Sequence, residues 1–141
     1  LIISGVKSFK TSWVYKFIVD NNLQAKIFFT EKLSDKDLHS LYKNCKLFIF
    51  ISLSEGFGIP ILEAMVYNKP ILTSNTTSIP EIAGEGAIKC NPLDKKSILN
   101  VLLNVDSINW FSYIKEQGVQ IKKFSDWKDT AQIILNQFLG K

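Results

Sequence analysis

Short apolar runs alternate along the chain with stretches of helical periodicity. The runs "LIIS", "AKIFF", "KLFIFIS", "PILTS" and "AIKC" are each bounded by polar or turn-forming residues, the pattern of buried strands. "KLFIFIS" is apolar almost throughout, as expected of a parallel strand covered on both faces. In "SWVYKFIVDNNL", Trp13, Phe17 and Ile18 share one helical stripe, with Ser12 placed as a cap. In "SDKDLHSLYKNC", Ser34 precedes Asp37 by three residues in a capping box, and Leu38, Leu41, Tyr42 and Cys45 form the buried face. A helix from about Pro60 to Tyr67 leads through Asn68 into "PILTS", and "SIPEIAG" is a short helical turn. Beyond Asn91 and Pro92 the pattern is helical. Ile98, Val101, Leu102 and Val105 share one face, and a closing helix gathers Trp127, Ala131, Ile134, Leu135 and Phe138. This alternation predicts an α/β fold, a Rossmann-like parallel sheet flanked by helices and joined by right-handed crossovers.

Size and composition narrow the classes. A chain of 141 residues predicts one domain, spanning 1–141, with a single core. With 46% hydrophobic and 21% charged residues it is a folded globule and not a disordered tail. The net charge is +4, from 17 basic residues, all lysines, against 13 acids. The lysines are dispersed, so there is no dense basic face of the kind that binds nucleic acid, while a small anion or an acidic membrane surface remains compatible. Cys45 and Cys90, with His39 the one histidine, fit no metal-ligand spacing, so no metal site is expected and both cysteines read as reduced buried thiols. The longest apolar run, "LFIFI", is too short to span a bilayer, and no signal-peptide pattern is present. The expectation is a soluble, cytoplasmic protein. The chain opens on Leu1, directly into a strand, which predicts a piece of something longer.

The chemistry concentrates in "FISLSEGFGIPILEAM", where Glu55 and Glu63 stand eight positions apart across a bend. Ligands of open parallel sheets bind beyond the carboxyl ends of the strands, where loops turn into helices. Gly56 and Gly58 allow a sharp turn and a close approach, and Pro60 suits a first helical position. The unpaired N–H groups of such a helix start attract an anion, and a diphosphate fits. Glu63, about one turn into the helix, then has the reach to accept hydrogen bonds from a vicinal diol such as a ribose, and Glu55 from the hydroxyls of a second sugar. On chemistry alone another reading stands beside this one: Glu63 complementing the helix N-terminus and Glu55 a solvated loop acid.

"SLSEGFGIPILEAM" resembles the E-x7-E signature of retaining glycosyltransferases of family 4, with Glu55 and Glu63 as its two acids. "LHSLYKNCKLFIFIS" before it and "KPILTSNTTSIPEIAGEGAIKCNPLD" after it are similar to the family's flanking elements, and "FSDWKDTA" resembles its closing helix. The resemblance implies the C-terminal, donor-binding domain of a GT-B enzyme, in which two Rossmann-like domains face each other across a cleft. It implies that Glu63 binds ribose and that Glu55 orients the donor sugar and stabilises charge developing on it. The amides of Gly56, Phe57 and Gly58 would meet sugar and phosphates. Leu33, within "TEKLS", would edge the base, and Thr76 and Thr77 would line the neighbouring loop. The partner is a nucleotide-sugar donor, UDP-, GDP- or another, with no cofactor and no nucleic acid. Transfer would retain the anomeric configuration and serve a glycan or lipid-linked acceptor, in polysaccharide synthesis of a bacterial kind.

Departures accompany the match. "NKP" stands where the family has G-x-P, with Asn68 able to adopt the left-handed conformation that glycine would supply; "FSDWKD" carries one extra residue, and "FFTEKLS" lacks the family's glycine near the base. The family's earlier strand and helix, with a basic pair that clamps the diphosphate, are expected to precede Leu1, and the N-terminal acceptor domain is missing from the chain. The 141 residues alone are therefore expected to be inactive. Contact with the inner face of the membrane would belong chiefly to that missing domain. The competing reading is a non-catalytic nucleotide-sugar-binding or docking module.

Overall fold

The computed structural model describes residues 1–5 and 12–124. The expected closing helix from Trp127 to Phe138 lies outside the described residues. The chain forms two compact units, Leu1–Leu41 and a larger one from Tyr42 onward.

In the first unit, β1 (Ile2–Ser4) is followed by α1 (Ser12–Asp20), β2 (Phe28–Thr30) and the opening turns of α2 (Asp35–Asn44). β1 and β2 pair in parallel, with Ile2 opposite Phe28 and Ser4 opposite Thr30. Tyr15 stacks on Phe29 at 4.2 Å. Of the stripe expected to share one face of α1, Ile18 is buried, but Trp13 and Phe17 are exposed. Two paired strands of three residues each make a surface too narrow to cover that whole stripe. Half of the capping box expected at α2 forms, the Asp37 N–H donating to Ser34 Oγ at 3.2 Å, while the Asp37 carboxylate accepts from the Ser34 hydroxyl at 2.6 Å.

The second unit alternates regularly. β3 (Phe48–Phe50), α3 (Ile59–Val66), β4 (Ile71–Ser74), α4 (Ile79–Ala83), β5 (Ile88–Cys90), α5 (Lys95–Leu103) and α6 (Trp110–Ile121) follow one another. The sheet order is β3-β4-β5, all parallel. β4 lies at its centre, and Ile71, Leu72, Thr73 and Ser74 are all at 0% exposure. Burial on both faces, expected of β3, belongs to β4 instead, because β3 borders this sheet and leaves Ile49 partly exposed. Ile61, Ala64 and Met65 of α3 and Ile79, Ile82 and Ala83 of α4 complete the core.

α6 packs on α3 and α4 through two buried glutamines. Gln117 Nε2 donates to the carbonyls of Lys69 at 2.8 Å and Gly86 at 2.9 Å, and Gln120 donates to the carbonyl of Glu81. Each bond satisfies a loop or helix-end carbonyl. Asp94 caps α5 by accepting from the N–H groups of Lys96 and Ser97. Among the described residues no helix is long and apolar enough to cross a membrane.

Candidate functional site

The loop between β3 and α3 carries Glu55, and its shape is set at Gly58. That residue, the N-cap of α3, has φ +100°, and a Cβ there would lie 2.9 Å from Ile79 Cδ1. Glycine is thus required twice, by backbone conformation and by space. Gly56 differs from it: its φ is outside the left-handed region, and an added Cβ would meet nothing of the chain within 4 Å. Pro60 is the second residue of α3 and not the first, since Ile59 opens the helix. The Ile61 N–H donates to the Gly58 carbonyl at 2.9 Å, and proline has none to offer. The first turn of α3 therefore keeps fewer unpaired donors than its length suggests. Among the described residues, nothing accepts from the N–H groups of Gly56, Phe57 or Gly58.

A second loop, after β4, holds the first one in place. Thr76 Oγ1 donates to the Ser52 carbonyl at 3.3 Å, and the Glu55 N–H donates to Thr77 Oγ1 at 3.2 Å. Ser78 Oγ reaches the carbonyls of both Glu55 and Phe57 at 3.2 Å. One level lower, Thr73 Oγ1 donates to the Phe50 carbonyl at 2.8 Å. Four hydroxyl-bearing residues in the span from 73 to 78 thus hold the main chain of residues 50–57. Thr77 has φ +53°, a conformation that a β-branched residue adopts at a cost of about 1–3 kcal/mol, and its hydroxyl meets the Glu55 amide from there. Thr76, Thr77 and Ser78 thus lie in the loop beside the motif and bond to its main chain. The ring of Phe57 packs edge-on against Phe124 just beyond α6, with centroids 5.7 Å apart. Among the described residues no hydrogen-bond donor reaches the Glu55 side chain, which is half-buried.

Glu63 has a different setting. It lies within α3, one turn beyond Ile59, and the phenol of Tyr42, near the end of α2, donates to its Oε2 at 2.7 Å. Tyr42 is 6% exposed. Its ring stacks on Tyr67 at 5.7 Å and 7°, and meets Phe48 of β3 at 5.3 Å. Burial first, and then the bond to Glu63, push its pKa far above the ordinary phenol value, so it remains a proton donor throughout the usable pH range. Lys69, just past α3, donates to the Lys43 carbonyl at 2.6 Å and so ties the end of α2 to the end of α3. The turn that follows α3 and leads into β4 contains Asn68 at φ +52°, the left-handed conformation expected where the family has glycine.

Sequence periodicity put Tyr42 on the buried face of α2, which is where it lies, but did not mark its hydroxyl. The relevant signal was a phenol placed among apolar neighbours, since a buried Tyr O–H usually has a partner. Leu33 is half-buried in the turn before α2, in the first unit. Among the described residues no three of His, Cys, Asp and Glu gather as metal ligands would.

A parallel α/β unit with glycine-shaped and hydroxyl-rich loops at the carboxyl ends of its strands defines a Rossmann-like ligand-binding class. Residues 1–103 match the family model described as glycosyl transferases group 1, and the chain belongs to that family. It is 30% identical over 140 residues to the O-antigen chain mannosyltransferase B of Escherichia coli, covering 98% of this chain and 36% of that protein. In fold it is similar to Anabaena HepE, solved in complex with UDP, with a TM-score of 0.80 at 20% identity over 99% of this chain and 40% of that one. It also resembles the C-terminal domain of a group 1 glycosyl transferase from Francisella tularensis, with a TM-score of 0.69 at 16% identity, covering 86% of this chain and 83% of that domain. The chain spans little more than a third of the full-length curated relative, and the GT-B C-terminal domain is the part it corresponds to.

Proposed function

We propose that this chain binds the donor of a retaining glycosyltransferase, a nucleoside diphosphate linked to a hexose, within a longer two-domain enzyme that extends a glycan or lipid-linked acceptor. The observation that carries the reading is the pair Glu55 and Glu63. One lies on a loop whose hydrogen bonds to its neighbour run through its main chain, the other on a helix with one carboxylate oxygen already bound. Family membership supports it, as does the complex with UDP described for the structural neighbour. The name of the curated relative makes mannose the first sugar to test.

In this reading Glu63 accepts hydrogen bonds from the ribose hydroxyls, and the amides of Gly56, Phe57 and Gly58 face the diphosphate and sugar. The bond between the anomeric carbon and the diphosphate oxygen breaks, and the acceptor hydroxyl forms the new bond on the same face. Its proton passes to the departing diphosphate. Aligned amides stabilise the charge that gathers on the leaving group, the larger share of catalysis in such a site. Glu55 orients the sugar and stabilises positive charge on its ring. Thr76 and Thr77 act from the second loop by fixing where Glu55 starts. No metal or cofactor takes part.

The test is calorimetric binding of nucleoside diphosphates and nucleotide sugars to the full-length polypeptide and two variants. Glu63→Ala should weaken every ribonucleotide by a similar amount, about 1–3 kcal/mol. Glu55→Ala should change the ranking among sugars and leave free diphosphates nearly untouched. Equal affinities in wild type and Glu63→Ala would remove the ribose role. Binding intact in the wild type with no turnover on any acceptor would favour the non-catalytic module.

A further inference from the structure

Glu63 does not set its own orientation. A carboxylate on a helix has several rotamers of similar energy, and only some direct an oxygen toward a ligand. Here one oxygen is held by a phenol at 2.7 Å, and that phenol cannot readily move. Its ring is fixed between Tyr67 and Phe48, on two different elements, and is almost wholly buried. The bond from Lys69 to the Lys43 carbonyl fixes the helix end on which Tyr42 rides. Contacts from β3 and the end of α3 thus hold the Tyr42 ring, and its hydroxyl alone reaches the carboxylate, at one oxygen. Among the described residues no donor takes up the other oxygen.

We propose that Tyr42 is a positioning residue for Glu63: it occupies Oε2, fixes the carboxylate rotamer, and so presents Oε1 to the hydroxyls of the donor ribose. This rests on the ribose reading of Glu63 given above. A neutral phenol suits the task better than a lysine would. It orients the carboxylate while leaving its negative charge, and hence its strength as an acceptor, largely intact. It also gives the site a means of distinguishing ribose from a sugar without hydroxyls, because a mobile carboxylate gains less from a diol than a fixed one.

The test compares a nucleoside diphosphate with its 2′,3′-dideoxy analogue, using UDP and GDP and their dideoxy counterparts, on full-length wild type, Tyr42→Phe and Glu63→Ala. The quantity read is the ratio of the two affinities. Phenylalanine keeps the ring and its stacking, and inorganic pyrophosphate binding reports whether the phosphate site survives. Tyr42→Phe should cut the ribose-to-dideoxy ratio about three- to tenfold with pyrophosphate affinity unchanged. Glu63→Ala should bring the ratio close to one, and adding Tyr42→Phe to it should change nothing further. If Glu63→Ala collapses the ratio and Tyr42→Phe leaves it at the wild-type value, with only a lower melting temperature, Tyr42 is a packing residue and the proposal fails while the ribose reading stands. If Glu63→Ala leaves the ratio intact, the ribose reading fails and takes the proposal with it.

Discussion

The two carboxylates at the centre of this domain are held in opposite ways. Glu63 is fixed through its side chain, by a buried phenol from another helix. Glu55 is fixed through its backbone, by hydroxyls from the next loop, while its carboxylate has no described partner. A residue that reads the same chemical group in every substrate benefits from a rigid side chain. One that must fit a variable sugar benefits from a rigid main chain and a free end. The contrast agrees with the roles proposed, ribose for Glu63 and the donor hexose for Glu55.

The comparison breaks most severely at Gly58. Alanine there would be forced into φ near +100° and against Ile79, at a cost of about 2–4 kcal/mol in stability. Chemical denaturation of Gly58→Ala should show that loss. A cost below about 1 kcal/mol would mean that the loop can choose another path, and the hydroxyl clasp would then no longer define where Glu55 stands.

Alkali should separate the two arms more gently. Burial raises the pKa of Tyr42 and of the thiols Cys45 and Cys90, so each keeps its proton in the fold at pH values where the unfolded chain has lost it. The unfolded state then binds fewer protons, and stability falls as pH rises. The decline should begin near pH 9, the ordinary thiol value, and steepen beyond 10, the ordinary phenol value. Tyr42→Phe should flatten the steeper part in a pH series of melting curves. An unchanged slope would mean that the phenol is not held as described.

Thr77→Gly should have the smallest effect on stability. It removes the bond to the Glu55 amide and at the same time relieves the strained backbone, so the two terms should cancel to within about 0.5–1 kcal/mol. Its readout is selectivity. With the loop loosened, the preference among donor sugars should flatten while affinity for free nucleoside diphosphate persists. Preserved sugar ranking would show that Thr77 is not needed to hold Glu55.

Much of this architecture was legible from pattern alone. All five strands among the described residues appeared as apolar runs, the Ser34 cap and the left-handed Asn68 followed from residue chemistry, and the ordered motif pointed to the family. What the sequence hid was interaction across distance. Periodicity counts Tyr42 as one more apolar position on α2, although its hydroxyl finds a carboxylate 21 residues away. The hydroxyls of Thr73, Thr76, Thr77 and Ser78 look like ordinary turn chemistry until their partners, more than 20 residues upstream, are known. Nor does sequence say which of two glycines is indispensable: Gly56 and Gly58 look equivalent, and only the second is left-handed and hemmed in. The exposure of Trp13 and Phe17 was equally hidden, because a stripe shows which residues share a face and not how much surface exists to cover them.

The clasp on the Glu55 loop grips only amides and carbonyls, so it is indifferent to which side chains the loop displays. Leu53, largely exposed, and Glu55 itself can be exchanged without removing one of those bonds. If the loop reads the donor sugar as proposed, new sugar preferences are within reach of single mutations that leave the scaffold standing.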